Sequence, residues 1–312
     1  MISVAVATYN GEKFLYKQLE SIINQSIYVD EIIICDDGSS DNTLKIINQI
    51  NDEYGNRCKL FLNKNNLGFS NNFFNAINKT NGDYIFLSDQ DDIWYYNKVE
   101  KMINYFENDN DLLLLCSSYD IIDENDNIQS SFVKSKNIYF SEWLGFWQSV
   151  GCAMCFKKEI REYLKKTNIP QLNSNLGHDW FIGVVSSYYG KTLLIEEKLF
   201  AKREHSKNVS AMNSTYSIEK KHVKRIVSAK ENLEVYKFLL KNSFYSKSEI
   251  LNKMIDFYKF RINFLENFKL KYIFIGIQYL SCYALCSEKK KYGIRYFFKD
   301  IYYSFKMRGR NE

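Results

Sequence analysis

The hydrophobic pattern of this chain switches repeatedly between two periods. Short apolar runs occupy residues 2–7, 31–35, 59–62, 84–87 and 112–117, each bounded by Gly, Asn, Asp or Ser and short enough to be a strand. Between them lie segments of helical spacing at 12–24, 42–53, 69–79 and 95–108. In the second of these, Leu44, Ile47 and Ile50 recur at i, i+3 and i+6, and Ser40 or Asp41 stands where a helix cap is expected. Strands alternating with helices over such connections predict right-handed βαβ units and an α/β fold, a mostly parallel sheet flanked by helices.

Past residue 117 the alternation stops. Residues 120–137 are polar and read as loop, 143–156 are apolar and aromatic and include a strand at 150–156, and 173–177 are a loop before His178-Asp179-Trp180 opens another helical stretch. From 217 the pattern is helical: Ile226, Leu233, Tyr236 and Leu240 fall on one face, and Ile250, Met254, Phe257, Phe260 and Phe264 on another. Two domains follow, 1–215 and a basic, aromatic helical region at 216–312.

Charge sharpens this division. Residues 1–215 carry 21 Lys and Arg against 28 Asp and Glu, whereas 216–312 carry 21 against 9, so the net +5 of the chain conceals an acidic front and a basic tail. Such a tail suits an anionic membrane surface or polymer. The longest apolar run, 272–286, is read as one helix and is too short to span a bilayer. Lys269, Lys271, Lys289, Lys290 and Lys291 flank it, so 269–291 is either a segment at a membrane surface or a buried helix with solvated ends. Of the seven cysteines, at 35, 58, 116, 152, 155, 282 and 286, only Cys152 with Cys155 and Cys282 with Cys286 are close; no second pair with metal-site spacing and nearby His accompanies the first, so they read as buried thiols in a reducing compartment. The first strand begins with no basic leader ahead of it, which predicts a cytoplasmic protein, at the inner face of the cell membrane if the tail binds lipid. No nucleic-acid partner is expected.

The candidate chemistry lies where strands end. Thr8-Tyr9-Asn10-Gly11 follows the first strand, Asp36-Asp37-Gly38-Ser39 the second, and Asp89-Gln90-Asp91-Asp92 the fourth. In an open α/β sheet such loops meet at one crevice. Carboxylates crowded there repel one another and call for a cation or solvent.

These ordered motifs, with the wording FLSDQDDIW and the later HDW, resemble the family 2 glycosyltransferases of GT-A (Rossmann-like) fold, and most closely their rhamnosyltransferase-like branch, over residues 2 to 210. The resemblance implies an inverting, metal-dependent transfer of one sugar from a UDP- or dTDP-sugar to a surface polysaccharide or lipid-linked saccharide, with Mg²⁺ or Mn²⁺ as cofactor. It places Asp91 on the metal and Asp89 near the ribose or metal. It sets Asp37 at the pyrimidine edge and Thr8 and Asn10 along the base, while Asp36 shares that role or shapes the turn. Asp92 either backs the metal site or caps the next helix. Asp179 matches the general base, with a helix cap as the plainer reading, and His178 stands where the family usually has an acidic residue. Arg203 and His205 match an R-x-H-x-x-N segment, ending at Asn208, that meets diphosphate or metal. Gly151 lies in the strand under the acceptor, and Trp147 and Trp180 stack on sugar or belong to the core. His222 reads as solvated. A polymerising synthase is disfavoured because the chain lacks a Gln-x-x-Arg-Trp motif. A nucleotidyltransferase on a similar scaffold is disfavoured by a first loop with one Gly and no Arg, and a non-catalytic sugar-nucleotide-binding module by the full set of polar positions.

Overall fold

The computed structural model describes residues 1–145, 148–167, 177–206, 217–242, 244–287 and 292–308. Trp147, residues 173–176, Asn208 and Lys289 to Lys291 lie outside them.

The front half alternates as its pattern requires: β1 (Ile2–Thr8), α1 (Leu15–Ile23), β2 (Glu31–Asp36), α2 (Thr43–Tyr54), β3 (Cys58–Leu62), α3 (Phe69–Lys79), β4 (Tyr84–Ser88), β5 (Ile93–Trp94), α4 (Lys98–Asn108) and β6 (Leu112–Ile122). Strands β1 and β2 are buried along almost their whole length, as expected of parallel strands covered on both faces. The chain continues with β7 (Ile128–Phe132), β8 (Lys136–Asn137), α5 (Phe140–Gly145), β9 (Met154–Lys157), α6 (Lys158–Lys166), α7 (His178–Tyr189) and β10 (Lys191–Arg203).

One sheet holds all ten strands, in the order β3-β2-β1-β4-β9-β6-β10-β5, with β7 beside β6 and β8 beside β10. Pairings β1–β2, β2–β3, β1–β4 and β6–β10 are parallel, while β9 is antiparallel between β4 and β6. Strand order reverses at β1, which has β2 on one side and β4 on the other, so the loops after β1, β2 and β4 surround a topological switch point. Val4, Val6, Ile32, Ile34 and Phe86 lead the core beneath them, packed by Leu15, Leu19 and Ile47 of the helices.

Three sequence expectations need correction here. Residues 120–137, read as loop, hold the end of β6, β7 and β8. Nearly every side chain of β7 is exposed, so pairing with β6 and not apolar burial makes it a strand. The strand expected at 150–156 begins only at Met154, because Gly151–Ala153 is a 3₁₀ turn. Strand β10, 13 residues long, was not anticipated, since Glu196, Glu197 and Lys198 interrupt its apolar alternation.

The described chain forms two compact units, one of residues 1–139, 149–167 and 177–206, the other of 140–145, 148 and the described residues from 217 onward. In the second, α5 packs with α8 (Ile218–Lys241), α9 (Ser248–Glu266), α10 (Lys271–Gln278), α11 (Leu280–Leu285) and α12 (Gly293–Arg308). The Tyr236 hydroxyl donates to the Leu144 carbonyl. Asp300, fully buried, joins the unit: Arg225 Nε and Arg261 Nε donate to it at 2.6 and 2.7 Å, and the Tyr283 hydroxyl at 2.9 Å. The run 272–286 is not one helix, because α10 ends at Gln278 and α11 starts at Leu280. His222, expected in solvent, is 6% exposed. Among the described residues, no helix is long and apolar enough to cross a membrane.

Candidate functional site

The three strand-end loops are laced together. The backbone N–H of Asn10 donates to Ser39 Oγ at 2.8 Å, and Asn10 Oδ1 accepts from the backbone of Ser40 at 2.8 Å, which holds Asn10 at φ 50°. Gly11 N–H donates to Thr43 Oγ1, while Asp41 receives the N–H groups of Glu12 and Thr43; the N-cap of α2 is Asn42, not Ser40 or Asp41 as expected. Gln90 of the acidic loop pairs with the Tyr9 backbone in both directions, at 2.9 and 3.1 Å. It approaches Gly11 so closely that a Cβ there would lie 2.4 Å from Gln90 Oε1, so a side chain at 11 would displace Gln90 from Tyr9.

Within this lacing the acidic residues of the second loop have defined partners. Asp36 accepts from Thr8 Oγ1 at 2.9 Å, from the N–H groups of Gly38 and Ser39, and from Ser39 Oγ, so it organises the turn. Asp37 receives Asn63 Nδ2 and the N–H groups of Leu67 and Gly68, at 2.7 to 2.9 Å, and anchors the loop before α3. Thr8, Asp36 and Asp37 are at most 3% exposed; Asn10 is the member of the expected base-binding set that is open to solvent.

The loop after β4 gathers the densest negative charge. The ligand atoms of Asp89, Asp92 and Cys152 lie within 4.8 Å of one another. Asp92, 1% exposed, accepts the Arg203 N–H at 3.0 Å through Oδ1, and its Oδ2 has no hydrogen-bond partner among the described residues. It does not cap a helix. Burial first, then neighbouring carboxylates, raises Asp89, Asp91 and Asp92 above the ordinary carboxylate range. Asp91 Oδ2 lies 2.9 Å from His205 Nε2, and the His205 ring packs on Phe14.

Two cations that the sequence reading missed balance this charge. Burial works against the ammonium of Lys202, but the carboxylates of Asp92, Asp89 and Asp91 around it outweigh burial and hold it above its usual range. Lys98 is fully buried, donates to the Cys152 carbonyl at 2.7 Å and faces the rings of Trp94 and Phe200 at 4.2 and 4.3 Å; burial lowers it to about 8. Lys202 lies near the end of β10, after the apolar Leu199-Phe200-Ala201 and next to Arg203, a position that recognising β10 would have marked. Arg203, expected at the diphosphate or the metal, is engaged by the protein itself. Its side chain is 0% exposed, with Nε donating to the Asp91 carbonyl and Nη1 to the Asp123 carbonyl, both at 2.8 Å, and Nη2 paired with Asp126 at 2.6 Å. It clamps the acidic loop to the β6–β7 hairpin.

On the α7 side, Asp179 is partly exposed in the first turn and accepts its neighbour Trp180 N–H at 2.8 Å. His178 is buried, stacked on Phe73 with centroids 4.0 Å apart, and burial lowers it to about 3, so its ring is neutral. A Cβ on Gly151 would sit 2.5 Å from His178 Nε2; the close approach expected of this Gly is made to that ring. Trp180, at 2% exposure, belongs to the core and presents no open face to a sugar.

The acidic cluster fits a hard divalent cation. Its carboxylates are crowded, one buried oxygen lacks a partner, and carboxylate oxygen is the donor such ions prefer. Cys152 suits one less, since burial drives its thiol well above the usual range and keeps it protonated.

The chain is similar to known proteins. The Glycosyl transferase family 2 profile matches residues 3–164. The dTDP-rhamnosyl transferase RfbG of Shigella flexneri is 31% identical over 233 residues, covering 70% of this chain and 78% of that one. The UDP-Glc:alpha-D-GlcNAc-diphosphoundecaprenol beta-1,3-glucosyltransferase WfgD of Escherichia coli is 30% identical over 144 residues, 46% of this chain and 55% of that one. Among solved structures, Staphylococcus aureus TarS 1-349 in complex with UDP-GlcNAc superposes with a TM-score of 0.60 at 14% identity, covering 97% of this chain and 89% of that one, a likeness of fold.

Proposed function

This chain belongs to glycosyltransferase family 2, and from that premise we propose that it is an inverting, metal-dependent enzyme that adds a single sugar, such as rhamnose, from a UDP- or dTDP-sugar to a surface polysaccharide or lipid-linked saccharide. The observation that carries the reading is the carboxylate cluster at the switch point, with a buried Asp92 oxygen that no described residue satisfies. Asp89, Asp91 and Asp92 would hold Mg²⁺ or Mn²⁺, which when bound neutralises the diphosphate as it leaves. Asp37 with Asn10 and Thr8 would bound the pocket for the base. Lys202 adds positive charge beside the diphosphate, while Arg203 positions the acidic loop. Asp179 takes the proton from the acceptor hydroxyl as it attacks the anomeric carbon on the face opposite the nucleotide. A lipid-linked acceptor would bring the protein to the inner face of the membrane, with 269–291 as the contacting segment.

The test is substitution. Asp91→Asn or Asp179→Asn should each lower sugar transfer about 100-fold or more, the scale of a lost acid–base or metal group, with an unchanged circular dichroism spectrum. Full transfer by both variants would sink the assignment.

A further inference from the structure

Helix α12 carries an apolar row that stands exposed among the described residues of its unit. Ile294, Phe298, Tyr302 and Phe305 recur at i, i+4, i+8 and i+11 and are 49–61% exposed, whereas Phe297, Asp300 and Ser304 on the other side are buried. Exposed Arg295, Lys299 and Lys306 follow along one flank of the row. Helix α10 repeats the arrangement, with Leu270, Phe274 and Ile277 exposed by 64%, 74% and 52% beside Lys271. The two helices touch where Gly276 meets Phe297: a Cβ on Gly276 would lie 2.4 Å from that ring. From 267 to 308 the sequence holds nine Lys or Arg and two acidic residues. Of those two, Asp300 is buried between arginines.

We propose that α10 and α12 together form a platform that lies in the plane of an anionic lipid membrane, with Phe274, Phe298 and Phe305 inserted at the headgroup boundary and Lys271, Arg295, Lys299 and Lys306 on the lipid phosphates. Amphipathic helices with aromatic and basic residues so arranged bind in this way, and apolar burial and anionic attraction reinforce each other. A second copy of the chain fits the face less well, because a twofold interface would bring the basic rim against itself. The inference deepens the proposed function, on which it rests for the membrane location of the acceptor, and it moves the contact from the run 269–291 to a surface that includes the C-terminal helix.

Full-length protein should co-sediment with phosphatidylcholine vesicles containing about 30% phosphatidylglycerol and not with phosphatidylcholine alone, and added salt should weaken the binding. The double variant Phe298→Glu, Phe305→Glu, altered at exposed positions, should partition about tenfold less or weaker. Vesicle binding needs no turnover, so it stands or fails separately from sugar transfer. No sedimentation with anionic vesicles, or equal binding by the variant, overturns the proposal. So does a concentration-dependent dimer that the double variant abolishes, which would assign the face to a second copy.

Discussion

At the scale of single residues, the acidic loop is held in a costly state. Asp92 gives one oxygen to the Arg203 N–H and keeps the other buried and unsatisfied, with Asp89 and the Cys152 thiol beside it. Because burial raises Asp89 and Asp92 above the ordinary carboxylate range, the unfolded chain ionises them first. Their contribution to stability is therefore intact below the ordinary carboxylate range near pH 4 and is lost as pH rises through the raised folded values. A divalent cation should relieve that penalty only where the carboxylates are ionised. Mn²⁺ is expected to raise Tm at about pH 7.5 and to leave it unchanged near pH 4.5, and Asp92→Asn should lose most of the rise. An equal rise at both pH values would mean that the ion binds elsewhere. The position of this loop was legible in the sequence, since an apolar strand delivers it to the sheet edge. The division of labour among its carboxylates was not, because partners more than 110 residues away, Arg203 and His205, decide which way each one points.

At the scale of elements, β10 joins the halves of the first unit. It pairs in parallel with β6 and antiparallel with β5 and β8, and its last residue, Arg203, reaches Asp91, Asp123 and Asp126. Removing that guanidinium leaves Asp126 without one partner and two carbonyls without donors. Arg203→Ala should thus cost about 1–3 kcal/mol in denaturant unfolding, the range for leaving buried hydrogen-bonding groups unsatisfied. A loss below about 1 kcal/mol would put Arg203 at the substrate instead of in the frame. Strands β1, β2, β4 and β6 could be read because they are buried along nearly their whole length and their residues run apolar. Strands β7 and β10 could not, since the exposed face of β7 and the Glu196-Glu197-Lys198 stretch of β10 leave pairing, which is not local, as the cause of their structure.

At the scale of the whole molecule, the charge asymmetry seen in composition corresponds to two surfaces with different chemistry: a carboxylate cluster in the first unit and a basic, apolar platform in the second. Composition revealed the asymmetry. It did not reveal that residues 140–145 fold with the C-terminal helices, because the contacts responsible, Tyr236 on Leu144 and Leu285 against Gly145, join positions about 90 to 140 residues apart. The central claim is that the first unit breaks a sugar–diphosphate bond with the help of its acidic loop. The most direct measurement is to incubate purified protein with a panel of labelled UDP- and dTDP-sugars and Mn²⁺ or Mg²⁺, and to identify the released nucleotide product. Slow release of a nucleoside diphosphate from one donor, abolished by Asp91→Asn, is the predicted result; release of pyrophosphate, or turnover that survives the substitution and removal of the metal, would contradict it.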